Sequence, residues 1–259
     1  MHSTSLRSIA LAAVLSLATA IPSHVYAAET NSAGSGSPWT AAATLYVWGA
    51  GLDGDVGVGR LPTADVNMDF GDILSKTDFA GMGIFEIRRG KIGFFGELLY
   101  IKMSDDVKGP AGYISAEPDV SSFTGLAAGS YRVAEDNWGN VDIVGGVRVF
   151  DLSNELTLSS SNPALPTLRA KESETWADAV GGAKMRYNIN DNWFLNAWAM
   201  AGAGGSDFTW DLLGAAGYQF NSTWSVSAGY RALGVDYEND GFRYDVVQSG
   251  PVLGVTARF

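Results

Sequence analysis

The chain has 259 residues and a formal charge of −11 from 28 acidic and 17 basic side chains, which argues against nucleic acid as a partner, because that binding wants a basic stripe. It contains no cysteine, which removes disulfides, thiolate metal sites and cysteine nucleophiles from consideration. Beyond the amino-terminal segment no stretch approaches the roughly 18 apolar residues of a membrane helix, whereas 32 glycines, 12% aromatic content and 8 prolines suit long antiparallel strands.

Residues 1–27 read as a cleaved signal peptide. Arg7 supplies the basic n-region, Ile9 to Ala20 the apolar h-region, and Val25-Tyr-Ala27 the small residues before a cleavage site. The apolar run is too short to span a bilayer, and Pro22 breaks it, so the rival of a retained anchor helix is disfavoured. Cleavage before Ala28 removes one base and no acid, leaving 16 basic against 28 acidic residues, or −12. It also removes both histidines, His2 and His24. The mature chain then begins with a flexible periplasmic linker over residues 28–38, and residues 39–259 form the folded domain.

The first strand is expected from Trp39 to about Gly51, with Leu45 and Val47 alternating against Thr44, Tyr46 and Trp48. A long loop rich in Asp and Gly follows from Leu52 to Lys76. Within it Asp69-Phe-Gly-Asp-Ile-Leu-Ser75 predicts a short helix capped by Asp69, with Phe70, Ile73 and Leu74 on one face. That apolar face must bury itself on the barrel mouth or against lipid, and the expectation is that it caps the external end. The carboxylates Asp53, Asp55, Asp65, Asp69 and Asp72 have no EF-hand spacing and read as solvated surface, so no metal site or cofactor is expected.

Thr77–Arg88 and Lys91–Met103 form a hairpin about the turn signal Arg88-Arg-Gly-Lys91. After a loop of about 15 residues, further strands run from about Val120 to Val133 and from Asn140 to Leu152. Another long loop spans Ser153 to about Arg169. Strands follow over Ser173–Tyr187, Trp193–Ala203, Phe208–Phe220, Trp224–Asp236 and Phe242–Phe259, with short turns between them. That gives ten strands in five hairpins, short turns on one side and three longer loops on the other, as in transmembrane β-barrels. Eight strands remain open if one hairpin lies outside the barrel.

The carboxyl end carries the clearest pattern. Leu253, Val255, Ala257 and Phe259 share one face, and Gly254, Thr256 and Arg258 the other, with a period of two. A closing strand that ends on a bare aromatic suits an outer-membrane barrel, where that residue enters the interfacial girdle and serves as an assembly signal. Five downward strands share the ending out, polar-in, out: Phe85-Glu-Ile87, Tyr131-Arg-Val133, Met185-Arg-Tyr187, Tyr218-Gln-Phe220 and Ala257-Arg-Phe259. A soluble sandwich could also alternate, but the aromatic banding at Trp138, Trp193 and Trp224 and the charges on the opposite face disfavour it. The fold class is therefore all-β, an antiparallel up-and-down transmembrane barrel.

Leu52-Asp-Gly54, Phe79-Ala-Gly-Met-Gly-Ile-Phe-Glu86, Ser206-Asp-Phe-Thr-Trp210, Gly217-Tyr-Gln-Phe220 and Gly229-Tyr-Arg231 resemble a family of proteobacterial outer-membrane barrel proteins. More distantly, the architecture is similar to the small barrels grouped with OmpA, OmpW and PagP. The resemblance spans roughly Trp39 to Phe259 and implies fold and location, with little about activity. No counterpart of the OmpA peptidoglycan-binding domain is expected.

Outer-membrane barrel enzymes of the lipid A deacylase, phospholipase, omptin and PagP types resemble one another in using histidine. A mature chain without histidine is therefore read as non-enzymatic, with no catalytic residue assigned. Glu86, Arg88, Glu97, Arg132, Asp142, Arg148, Asp178, Lys184, Arg186, Asp211 and Arg231 all fall on lumen faces. They could line a narrow polar pore or form a cross-strand ion-pair network that fills a small barrel, and the network is favoured because interior charges must be paired. The glycine-rich Ala201-Gly-Ala-Gly-Gly205 lacks a strand-to-helix context and is no phosphate cradle. The expected role is structural or surface-interacting, with a passive channel or carrier for small solutes as the alternative and a lipid-modifying enzyme as the third reading, which would require the mature chain to retain His24. The expected partners are outer-membrane lipid and lipopolysaccharide, and the barrel-assembly machinery through the last strand.

Overall fold

A computed structural model describes residues 38–57, 64–104, 107–108, 114–160 and 167–259. The expected signal peptide, nearly all of the linker and the tips of the longer loops lie outside the described residues. Among the described residues the strands are β1 (Trp39–Trp48), β2 (Gly51–Gly57), β3 (Ala64–Met68), β4 (Thr77–Arg89), β5 (Ile92–Ser104), β6 (Val107–Lys108) and β7 (Ile114–Asp136). They continue with β8 (Gly139–Ser160), β9 (Leu168–Asn188), β10 (Trp193–Gly204), β11 (Phe208–Gln219), β12 (Trp224–Asn239) and β13 (Phe242–Arg258). One helix, α1 (Phe70–Lys76), precedes β4.

Ten of these strands close an antiparallel barrel in the order β1-β4-β5-β7-β8-β9-β10-β11-β12-β13, with β13 returning to β1. The closing seam pairs Ala42 with Arg258, Thr44 with Thr256 and Trp48 with Val252. Ala41 and Phe259 then exchange both backbone hydrogen bonds, at 3.1 and 2.8 Å. Eight strands are thereby excluded. β2 continues the line of β1 along the same neighbour, pairing Ser249 to Arg243 of β13, and β3 folds back on β2. The start of β1, the end of β13 and the tight turns β4–β5, β7–β8, β9–β10 and β11–β12 lie at one end of the barrel, the turn end. The connections through β2, β3, α1 and β6 lie at the other, the loop end.

Alternation of the side chains divides the wall into two faces. Outward positions are apolar and bare: Leu45 is 76% and Phe259 77% exposed, and Leu253 and Val255 are about half exposed. Water does not tolerate a continuous apolar belt on that scale, and hydrocarbon does. The chain is an integral membrane barrel of the bacterial outer-membrane type. Aromatic residues gather on the outside near the turn end, with Trp138 stacked on Tyr187 and Trp193 edge-on to Tyr218. Ala257 points outward with its neighbours but is covered, lying opposite Trp224 in register.

Two sequence expectations change. The stretches read as long loops after Met103 and from Ser153 to Arg169 are largely strand: Ile114–Val120 pairs with Asn154–Ser160, and Glu155–Leu158 with Leu168–Lys171. These extensions are set by backbone pairing with β7 and β9, although the Asn162-Pro163 and Pro166 turn signals nearby read as a loop. The helix forms with its expected cap, Asp72 N donating to Asp69 Oδ1 at 2.9 Å, but it does not cap the mouth. A Cβ built on Gly49 would meet Pro251 Cγ at 3.3 Å and the Phe70 ring at 3.5 Å. Pro251 faces outward, so α1 lies on the outer wall with Leu74 58% exposed.

Candidate functional site

The lumen is filled in layers. Towards the loop end Phe150, Trp176 and Tyr237 form a continuous stack, with ring centres 5.1 and 4.0 Å apart and planes 19° and 10° from parallel. Leu152, Val235 and Phe242 pack round it. Nearer the turn end Phe95, Leu126, Val144, Val180 and Met200 pack the side of the lumen walled by β5 and β7–β10.

A polar cluster contributed by β1, β5, β8, β10, β11 and β12 crosses the lumen. Arg231, 1% exposed, stands at its centre. Its Nη1 and Nη2 donate to Glu97 Oε1 and Oε2 at 2.7 and 2.8 Å, and its Nε and Nη2 to Asp211 Oδ1 and Oδ2 at 3.0 and 2.7 Å. Nη1 also donates to Tyr46 Oη at 3.0 Å, and Tyr46 donates in turn to Glu97 Oε1 at 2.7 Å. The guanidinium sits beside the Trp48 and Trp198 rings, 4.9 and 5.1 Å from their centres. Asp211 further accepts from Trp198 Nε1 at 2.9 Å and from Arg148 Nη2 at 2.5 Å. Two buried guanidiniums thus face two buried carboxylates, with Arg231 forked against both acids.

Arg148 is less well served. Its Nε and Nη1 have no hydrogen-bond partner among the described residues. Asp178 stands opposite it in register, but both Asp178 oxygens are taken by Ser206, from the backbone N at 2.8 Å and from Oγ at 2.6 Å. Asp178 therefore ties down the β10–β11 turn.

At the turn end the remaining inward charges form a looser ring. Asp142 accepts from Arg88 Nη2 at 2.5 Å and from Arg132 Nε at 2.9 Å, and Arg132 also reaches Glu135 at 2.7 Å. Lys184 pairs with Glu86 and lies 3.9 Å from the Phe95 ring centre. Arg186 and Arg258 both donate to Gln219 Oε1. Between this ring and the central cluster lies a cavity of about 740 Å³. Ser222, Thr223 and Phe259 line it at the turn end, and Tyr46, Trp198, Leu213 and Val252 at its inner end. It exists because Ala42, Thr44, Ala215, Ser227 and Gly254 are too small to fill that side of the lumen.

Every inward charge picked from the sequence lies on the lumen face, but the set separates into the central cluster (Glu97, Arg148, Asp211, Arg231), the turn clamp Asp178 and the turn-end ring (Glu86, Arg88, Arg132, Asp142, Lys184, Arg186). The sequence pattern put Gln219 on an inward position and Tyr46 and Trp48 opposite Leu45 and Val47, but gave none of them, nor Trp198, a place among the site residues. The available signal was that aromatics with a polar tip fall on inward positions, where a purely apolar filler would serve if no partner were present. In the first loop Asp53 accepts from Asn67 Nδ2 across the β2–β3 hairpin at 2.9 Å. Among the described residues no group of three acids or histidines is arranged to hold a metal ion.

No family model matches the sequence, and no curated protein matches it. Among solved structures, the outer-membrane protease OmpT of Escherichia coli is similar with a TM-score of 0.52 and 11% identity, over 89% of this chain and 99% of that one. The translocator domain of the autotransporter NalP from Neisseria meningitidis has a TM-score of 0.44 and 13% identity, over 98% and 96%. Ail, the attachment invasion locus protein of Yersinia pestis, has 0.36 and 12%, over 86% and 99%. At 11% identity the likeness to OmpT is one of fold: a closed outer-membrane barrel, on which unrelated activities are carried.

Proposed function

We propose that the protein is a non-enzymatic outer-membrane barrel with a sealed lumen, acting as a structural or surface-interaction element of the cell envelope. The observation that carries this reading is Arg231, wholly buried and bonded across the lumen to Glu97 and Asp211 from strands on different sides of the barrel. A solute-conducting path would have to break that cluster and then pass the Phe150–Trp176–Tyr237 stack. Removing either side of a buried charge pair costs several kcal/mol, about 3–5, so thermal opening is rare. The non-enzymatic part is supported by His2 and His24 both falling in the leader assigned to residues 1–27.

In this reading the turn end faces the periplasm and the extended β7–β9 wall stands above the outer leaflet. The partners are outer-membrane lipid with lipopolysaccharide around the belt, and the assembly machinery at the β13 edge. The test is single-channel recording of the refolded mature barrel in planar bilayers. Silent bilayers are expected, and conductance steps should arise when Arg231 and Trp176 are both replaced by alanine. Steps from the wild-type barrel would overturn the sealed lumen in favour of a channel.

A further inference from the structure

The turn-end cavity is lined by Arg88, Arg132, Lys184, Arg186 and Arg258, and the lining side-chain carboxylates are Glu86 and Asp142. Five side-chain cations thus face two side-chain carboxylates on the cavity wall, with Glu135 paired to Arg132 beside it, in a chain whose overall charge is −11. The imbalance has a definite location. Asp142 serves Arg88 and Arg132, Glu135 also serves Arg132, and Glu86 serves Lys184, while Arg186 and Arg258 have no side-chain carboxylate within 4.0 Å among the described residues. Their nearest common acceptor is the neutral Gln219 Oε1. Arg186 finds one more oxygen on Asn188 at 3.2 Å, and Arg258 one on Ser225 at 3.3 Å.

Both guanidiniums are held over the ring of Phe194, at 3.5 and 5.9 Å from its centre. Phe194 is fixed in turn by Gly217, where a Cβ would approach its ring to 2.2 Å. The sequence thus keeps a glycine so that a buried ring can support two like charges side by side. Like charges at half-buried positions repel unless an anion lies between them, and fixed, paired guanidiniums on a cavity wall are the arrangement that receives an oxyanion. The inner end of the same cavity, at Ile84, Leu213 and Val252, is apolar.

We propose that the turn-end cavity binds an oxyanion, a phosphate or carboxylate group, with Arg186 and Arg258 as the clamp and Gln219 as the neutral spacer that leaves the clamp unfilled. The anion could be a free solute or the head of a lipid whose tail occupies the apolar inner end. The site goes beyond a sealed-lumen role and does not require it, since the cavity ends at the central cluster.

The experiment is isothermal titration of the refolded mature barrel in a zwitterionic detergent at low salt. One arm uses inorganic pyrophosphate and the other dihexanoyl phosphatidic acid. Binding in the first arm, weakening as salt rises, identifies a soluble oxyanion. Binding in the second arm alone identifies a lipid headgroup. The Arg186→Gln/Arg258→Gln variant should lose affinity by about tenfold or more per guanidinium, because each charge-assisted bond contributes on the order of 1.5–3 kcal/mol. Gln219→Glu gives a second, independent variant that keeps both arginines. It places a carboxylate between them and gives up the hydrogen bonds that Gln219 Nε2 donates to Asn221 O and Trp224 O, so it should bind neither probe, its folding being checked separately by heat-modifiable migration on a gel. Arg243→Gln at the loop end is the control and should bind normally. Failure of both probes at millimolar concentration, or unchanged binding by Gln219→Glu, would overturn the site.

Discussion

Replacing Arg231 by methionine keeps most of the side-chain volume and removes every bond from the guanidinium to Glu97, Asp211 and Tyr46. Asp211 retains Arg148 and Trp198, but Glu97 is left with only the Tyr46 hydroxyl, in a site where it is 1% exposed. Breaking a buried pair by deleting one partner costs about 3–5 kcal/mol, most of it from the stranded charge. With a urea dependence of about 3 kcal/mol per molar for a domain of this size, the unfolding midpoint falls by roughly 1–2 M. The assay is reversible urea unfolding of the mature barrel in zwitterionic vesicles, followed by tryptophan fluorescence. Adding Glu97→Gln removes the stranded charge, so the double variant should unfold later than Arg231→Met alone. An unchanged midpoint for Arg231→Met, or a second substitution that only adds its own loss, would refute this account of how the lumen is held.

Arg148→Met should cost less than Arg231→Met in the same assay, because it gives up one bond to Asp211 and relieves two buried N–H groups that have no partner. Gly217→Ala should destabilise by about 1–3 kcal/mol as its methyl is driven into the Phe194 ring, whereas Gly214→Ala on the same strand, with nothing within 4 Å of its Cβ, should be close to neutral. Equal losses from the two would remove the packing role given to Gly217. Deleting Phe259 breaks the rung that Ala41 and Phe259 make at the closing seam and takes an aromatic out of the girdle, so the yield of folded barrel in outer membranes of expressing cells should drop. Normal yield, measured as the heat-modifiable band on a gel, would end the assembly role of that residue.

The barrel was legible wherever one sheet face met lipid and the other the lumen. Leu253 and Val255 against Thr256 and Arg258 betray their faces because each environment rejects the other's side chains. The same rule did not reach Ser153–Ser160, where the alternation is only Leu156 and Leu158 beside the Asn162-Pro163 loop signal, and pairing with β7 and β9 sets the strand. The cap of α1 was readable because Asp69 and Asp72 are three residues apart. Its berth against Gly49 was not, because that contact joins loop residues to another strand. The charged lumen residues were likewise readable as a set, since alternation places them inside. Their partners were hidden: Arg231 and Glu97 are 134 residues apart, and which acid faces which base depends on the stagger of the strands round the barrel.

That stagger also separates two problems that look alike in sequence. In the middle of the lumen a charge has no access to water, so it must be answered within the protein, and Arg231 meets both Glu97 and Asp211. Near the turn end a charge can be answered by solvent or by something brought from solvent, and there the acids fall short of the bases. An ion-pair filling accounts for Arg231 in the first region, though it leaves Arg148 Nε and Nη1 without a partner among the described residues. It leaves the second unexplained, because Arg186 and Arg258 share Gln219 Oε1, whose amide nitrogen is committed to Asn221 O and Trp224 O, and Ala42, Ala215 and Gly254 leave the space beside them open. The small residues and the neutral spacer act together to keep space and charge unspent at one end of an otherwise packed lumen. Filling the space while leaving the charges, as in Ala215→Leu, should therefore abolish oxyanion binding with both arginines intact, and retained binding would separate the cavity from the clamp.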